Sequence, residues 1–237
     1  MYKDGGANPP QRFKGDLIMD KIVEYIDHMG TDASVVNAAR VSFDKLAENY
    51  SPEQNDKLIK FLAKHKHWSP FSHTSISMRF KAPVFIARQL AKHQVGFAWN
   101  EISRRYVDFT PDCWIPDTFR MRAENKKQGS SDEVLNDPEI MLDYKNMCSA
   151  SLIMYDRLLE RGVFPEQARA VLPQAMYTEW IWTGSLYAWL RMAMLRSHDT
   201  AQAEVRVYAK AVGSICSNLF PISWSALINE SLDRTLS

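Results

Sequence analysis

The sequence predicts an α+β fold, and three features carry that prediction. Most of the chain places apolar residues at helical spacing, behind recognisable helix-start signals. One segment, residues 74–80 (TSISMRF), alternates instead. It sets Ile76, Met78 and Phe80 on one face and Ser75, Ser77 and Arg79 on the other, which is the pattern of a half-buried strand. The 237 residues hold no repeat and no low-complexity stretch, and 46% hydrophobic with 24% charged residues suits a soluble enzyme with an ample core.

In chain order, residues 1–15 are polar, with Gly5-Gly6 and Pro9-Pro10, and read as a flexible arm before a single domain over 16–237. Residues 16–27 mix strand and helix signals. Thr31 and Asp32 can start a helix in which Val35, Val36, Ala39 and Phe43 recur at helical spacing, with Ser42 near its end. Ser51-Pro52-Glu53-Gln54 gives the next helix an N-cap, a first-turn proline and a capping-box glutamine, ahead of a stripe of Leu58, Ile59, Phe61 and Leu62. Pro70 ends helical structure. After the alternating strand, Pro83 opens a helix on which Arg88 and Lys92, and Gln89 and His93, lie four apart. Gly96 breaks it, so Asn100 to Tyr106 belong to a loop or short extended segment. Residues 122–136 are the most polar run and read as a mobile excursion. Asp137-Pro138 opens a long helix that Arg161-Gly162 closes, and Pro165 opens a short one closed by Pro173. Residues 177–196 (YTEWIWTGSLYAWLRMAMLR) are apolar nearly all round and read as a buried helix. An amphipathic helix over 200–220 and a short tail helix complete the chain.

A net charge of +1 gives no global field toward nucleic acid or a membrane, so neither is an expected partner and any anion site must be local. The three cysteines, Cys113, Cys148 and Cys216, share no short spacing and fit a reducing compartment. With no long apolar span and no signal-peptide core at the start, the expected location is the cytoplasm. His65, His67 and His73 cluster, with His93 nearby, but match no zinc spacing, and no metal is expected. Cys113, in PDCWIP, is the one cysteine worth testing as a nucleophile. Glycine-built phosphate loops and the GxSxG elbow are absent.

What remains is a concentration of cations. Residues 88–106 (RQLAKHQVGFAWNEISRRY) set Arg88, Lys92, His93, Glu101, Arg104 and Arg105 among apolar neighbours, and Arg169, Arg191 and Arg196 stand in similar company. Charges in an apolar setting need a partner. Each arginine either pairs with a carboxylate such as Glu166, Glu179 or Glu204, or meets an anionic ligand with hydrogen-bonding edges.

Four blocks then match one family in order and spacing. GTDASVVNAARVSFD, HKHWSPFSHTSISMRFKAPVFIARQ, ARAVLPQAMYTEWIWTGS and LRSHDTAQAEVR resemble the flavin-dependent thymidylate synthases. That family's signature is Arg-His-Arg, seven residues and a serine, with Asn-Glu just before it. Here Lys92-His93-Gln94 is followed by eight residues and Ser103, with Asn100-Glu101 and Arg105-Tyr106 in place; the intervening serine is replaced by Phe97 or Ala98. Lys92 keeps charge without the guanidinium fork, and Gln94 keeps only neutral hydrogen bonds.

The resemblance implies a mostly helical domain around a small, mainly antiparallel sheet. It implies methylation of dUMP to dTMP, with methylenetetrahydrofolate as carbon donor, FAD as hydride carrier and NADPH as reductant. By position, Gln89, Lys92, Glu101, Ser103, Arg104, Arg105 and Arg169 match dUMP-contacting places, and Arg196 the arginine that favours the ionised uracil ring; Glu101 and Ser103 join Arg196 as catalytic candidates. Ser42, His67, Ser69, Lys92, His93, Gln94, Asn100 and Glu101 match flavin-contacting places. Ser185 and Arg191 stand where the family usually has asparagine. Family members look like homotetramers with shared active sites. Two rivals stay open: a related enzyme acting on another pyrimidine nucleotide, and a non-catalytic pyrimidine-nucleotide-binding protein.

Overall fold

A computed structural model describes residues 22–123 and 130–232, so the arm expected at 1–15 lies outside the described residues. The sheet is four-stranded and antiparallel, in the order β1 (Val23–Met29), β2 (Ser75–Pro83), β6 (Tyr177–Gly184), β3 (Phe97–Glu101). The ambiguous segment at 16–27 thus yields the edge strand β1. In β2 the alternation is realised as expected: Ile76, Met78 and Phe80 are fully buried.

Strand β6 corrects the all-apolar helix expected over 177–196. Residues 177–184 pair with β2 from Tyr177↔Pro83 to Gly184↔Ile76, and with β3 from Trp180↔Glu101 to Gly184↔Phe97. A short apolar run does not by itself distinguish a buried strand from a buried helix. Tyr, Thr, Trp and Ile side chains fit the pleated surface, and alternation buries Thr178, Trp180 and Trp182. The helix begins only after Ser185, whose hydroxyl accepts the Ala188 N–H at 3.2 Å as an N-cap, and runs as α6 (Leu186–Ser197). Gly184 has a packing reason: a Cβ there would lie 2.3 Å from the Phe97 ring.

Aromatic side chains fill the space between sheet and helices. Phe80 stacks on Trp180 at 5.1 Å, Trp99 on Trp180 at 4.3 Å, and Trp189 of α6 donates its indole N–H to the Ile76 carbonyl at 3.2 Å. Around this core lie α1 (Asp32–Arg40), α2 (Pro52–Lys64), α7 (Ala203–Leu219) and α8 (Pro221–Leu232). Asp32 accepts the N–H groups of Ile222 and Ser223 at 3.0 and 2.9 Å, tying α1 to the start of α8. Two expected core residues lie outside it. α1 gives way to a 3₁₀ turn (Val41–Phe43), leaving Phe43 75% exposed, and Phe61 on the outer side of α2 is 52% exposed against the His65 ring.

The helix after Pro83 is also shorter than expected. α3 (Val84–Leu90) ends at Leu90, and a turn closed by the His93 N–H on the Leu90 carbonyl at 2.9 Å carries Lys92 and His93 off the helix. Gly96, at φ +81°, then sends the chain into β3. Within the polar excursion expected at 122–136 the described residues form a strand pair, β4 (Phe119–Arg122) with β5 (Ser130–Leu135), and 124–129 lie outside the described residues. α4 (Pro138–Glu160) starts at the Asp137 cap and stops at Arg161, and α5 (Pro165–Ala168) passes through a 3₁₀ turn toward Pro173. Among the described residues no helix is long and apolar enough to cross a membrane, and no group of three His, Cys, Asp or Glu is placed to hold a metal.

Candidate active site

The last turn of α6 faces the turn that follows α3. There Arg196 donates through Nε to His93 Nε2 at 3.0 Å and through Nη2 to the Gln89 carbonyl at 2.8 Å. The Gln89 side-chain amide in turn donates to Gln202 at the start of α7. Burial lowers the Arg196 guanidinium from its ordinary value, yet an arginine stays charged. His93 is pushed down from 6.5 to about 4, first by burial and then by the positive charges of Arg196 and Arg191. Lys92 and Gln94 are exposed on either side of it.

Two hollows meet at α6. A cleft of about 760 Å³ lies between the 3₁₀ turn Ser69–Ser72 with its flanks, the start of β3 and the end of β6. Trp68, Phe97 and Tyr187 give it aromatic walls, Ser72, Thr74, Ser75 and Ser185 give it hydroxyls, and Arg191 gives it a charge. A second hollow of about 510 Å³ is lined by His93, Leu190, Met194 and His198, and shares Tyr187 and Arg191 with the first. Thr74 braces the cleft from behind, accepting the Leu186 N–H at 3.1 Å and donating to the Phe71 carbonyl at 3.2 Å. His67 and Ser69 are exposed beside Trp68, whose ring leans on Tyr187 at 6.0 Å. Ser42 is exposed on its own 3₁₀ turn and does not line either hollow.

The remaining candidates sit at the other end of β3. Glu101 accepts the Thr178 hydroxyl at 2.6 Å and the Trp99 indole N–H at 3.2 Å, with Asn100 exposed beside it. The Ser103 hydroxyl accepts the Arg105 N–H at 3.3 Å. Arg104 turns inward: it is 7% exposed, donates to the Phe109 carbonyl and lies 4.3 Å over the Phe109 ring, so it braces the loop. Arg105 turns outward to an ion pair with Glu166 at 3.5 Å, and Arg169 donates to the Glu166 carbonyl at 3.3 Å. Glu179 is taken by Arg79 at 2.6 Å, and Glu204 by Arg120 at 2.6 Å. Neither carboxylate reaches Arg191 or Arg196. Arg191 makes no hydrogen bond or ion pair with any described residue; it is exposed, and its guanidinium is open to solvent at the edge of the cleft.

Cys113 is no activated nucleophile. Burial and the neighbouring Cys148 push its thiol up to about 11, away from thiolate. Sequence reasoning missed the cleft walls, above all Trp68, Thr74, Phe97 and Tyr187. These are ordinary apolar and hydroxyl residue types, and it takes the pairing of β6 with both β2 and β3, and the packing of α6 against the Ser69–Ser72 turn, to gather them at one place.

The family model described as thymidylate synthase complementing protein matches residues 24–222. The chain is 38% identical over 210 residues to the flavin-dependent thymidylate synthase of Kosmotoga olearia, spanning 87% of this chain and 90% of that one. It is 35% identical over 217 residues to that of Thermus thermophilus, spanning 91% and 79%. Among solved structures, the UMP/dUMP methylase PolB from Streptomyces cacaoi bound with 5-Br dUMP superposes with a TM-score of 0.77 at 28% identity, covering 87% of this chain and 94% of that one.

Proposed function

The chain belongs to the thymidylate synthase complementing protein family, and from that premise we propose that it is a flavin-dependent thymidylate synthase converting dUMP to dTMP. The observation that carries the reading is Arg196: a partly buried cation on α6, bound by neutral groups only, with its partner His93 lining a hollow that Arg191 shares. Positive charge fixed in this way stabilises negative charge that develops on a uracil ring, and costs no rearrangement at the moment of reaction.

The cleft fits a flavin. About 760 Å³ is within the range of ligand sites, and aromatic walls with scattered hydroxyls and one arginine suit a ring system with an anionic tail. Ser185 and Arg191 would hold it from α6, His67 and Ser69 from the turn beside Trp68, and Lys92, His93 and Gln94 from the turn after α3. Ser42, Asn100 and Glu101 complete the proposed set. Bound there, FAD would carry the hydride, with NADPH as its reductant and methylenetetrahydrofolate as carbon donor.

For dUMP, Arg105 and Arg169 offer open forks to the phosphate, joined by Gln89, Lys92, Glu101 and Ser103, while Arg104 acts through the loop it braces. One chain holds these forks and Arg196 in separate hydrogen-bonded groups. That separation, with Tyr106, Phe43 and Met147 all more than two-thirds exposed, supports a homotetramer with shared sites.

The test is the visible spectrum of protein incubated with FAD and desalted, before and after addition of dUMP. A retained flavin band that shifts with dUMP is expected. No flavin binding even at high FAD, with dUMP binding intact, would overturn the synthase reading in favour of a nucleotide-binding protein. Because PolB is a UMP/dUMP methylase, UMP belongs beside dUMP in the turnover assay.

A further inference from the structure

The contact between Arg196 and His93 fixes the state of both. A guanidinium has N–H donors and no acceptor, so the Arg196 Nε–H at 3.0 Å must meet a lone pair on His93 Nε2. An imidazole with an unprotonated Nε2 is neutral and carries its proton on Nδ1. Charge supports the same conclusion. His93 faces Arg196 and Arg191 from α6, has Lys92 on its own turn, and shares its hollow with Tyr187, His198 and Ser231. No carboxylate among the described residues lines that hollow, so an imidazolium there would meet two guanidiniums without a counter-anion.

We propose that His93 is a positioning residue for Arg196: its Nδ1–H tautomer clamps the guanidinium through Nε2 and leaves Nδ1–H as a donor to an acceptor oxygen of the ligand in the adjoining hollow. The second clamp is the Gln89 carbonyl at 2.8 Å, which together with His93 engages Nε and Nη2 and leaves Nη1 with no hydrogen bond to a described residue. Arg196 is thereby aimed before any ligand arrives. A ligand oxygen at Nδ1 adds to that aim, because a donor that gives its proton to an acceptor makes the opposite ring nitrogen more basic. The identity of the acceptor, a flavin carbonyl or phosphate oxygen, rests on the synthase reading; the tautomer does not.

The experiment uses the full chain without ligands, labelled with ¹⁵N-histidine, with ring-nitrogen spectra taken from pH 8 to pH 4. The His93 signals are those lost in His93→Gln. They are expected to report a protonated Nδ1 and a bare Nε2, with no titration above about pH 5, in keeping with a value of about 4. In Arg196→Leu the same ring should titrate at a higher pH than in wild type, still below 6.5 because burial and Arg191 remain, and should favour Nε2–H. A wild-type His93 that carries its proton on Nε2, or titrates near 6.5, overturns the proposal. A kinetic arm separates positioning from bulk. His93→Gln keeps an acceptor for Arg196 and should lose less than about tenfold in kcat at saturating FAD and dUMP, whereas His93→Leu should lose on the order of a hundredfold. Equal losses in the two would overturn the clamp. The spectra need neither flavin nor dUMP, so they can fail while the synthase reading stands, and the reverse.

Discussion

Two groups of arginines flank β3, and they are held in opposite ways. At the α3–α6 corner, Arg196 is partly buried, bonded to His93 and to the Gln89 carbonyl, and backed by a helix whose Trp189 is anchored in the core. At the far end, Arg105 and Arg169 are exposed and converge on Glu166 through a 3.5 Å ion pair and a 3.3 Å bond to a carbonyl. The corner is built for geometry, since its donor directions are set before binding. The loop is built for capture, since its forks keep their rotamer freedom until an anion orders them. An interaction that must be strongest in the transition state benefits from the first arrangement, and one that only gathers substrate tolerates the second.

Substitution at the two ends should therefore divide kcat from KM. Arg196→Ala is expected to lower kcat by about 10²–10³ with KM for dUMP moved far less, as for removal of a fixed electrostatic group. Arg105→Ala is expected to raise KM for dUMP by about 10-fold to 100-fold, the range of a charged hydrogen bond, with kcat largely kept. Steady-state kinetics at saturating FAD check both. If Arg105→Ala falls mainly in kcat, the loop is as pre-aimed as the corner and the contrast fails.

The corner was more legible in the sequence than its geometry suggests, and the sheet less so. Gln89, His93 and Arg196 were all named from the sequence, because cations in apolar company are conspicuous and the family blocks fix their order. Their contact was not, since it depends on α3 ending at Leu90 so that His93 turns toward α6; periodicity alone extended that helix. The strand β6 was hidden because residues 177–184 and α6 form one mostly apolar run, and the Ser185 cap that divides them is a single hydroxyl. Arg104 and Arg105 are adjacent in sequence and look alike there. Only the packing of Phe109 and Tyr155 decides that one goes in and the other out.

Acid separates the two ends a second time. His93 is held near 4 in the folded chain against 6.5 when free, so between those values the unfolded chain binds the extra proton and the folded one does not. Its contribution to stability is complete above pH 6.5 and is lost as the pH falls toward 4. Urea midpoints of the ligand-free protein between pH 8 and pH 4.5 should therefore decline more steeply for wild type than for His93→Gln. Parallel curves would mean that His93 is already solvated and that the corner is no more rigid than the loop.

The smallest effect is expected at Glu166. Its ion pair with Arg105 joins two side chains about half exposed, the setting in which such pairs contribute roughly 0–1 kcal/mol. Glu166→Gln should therefore leave the urea midpoint nearly unchanged. The same substitution removes the carboxylate that competes with substrate phosphate for Arg105, so dUMP affinity should hold or rise by about two- to threefold at low salt, and the gain should shrink as salt screens it. Isothermal titration with dUMP at two ionic strengths measures this. A large loss of stability would make Glu166 a structural anchor and the loop a finished site, and capture would no longer describe what Arg105 and Arg169 do.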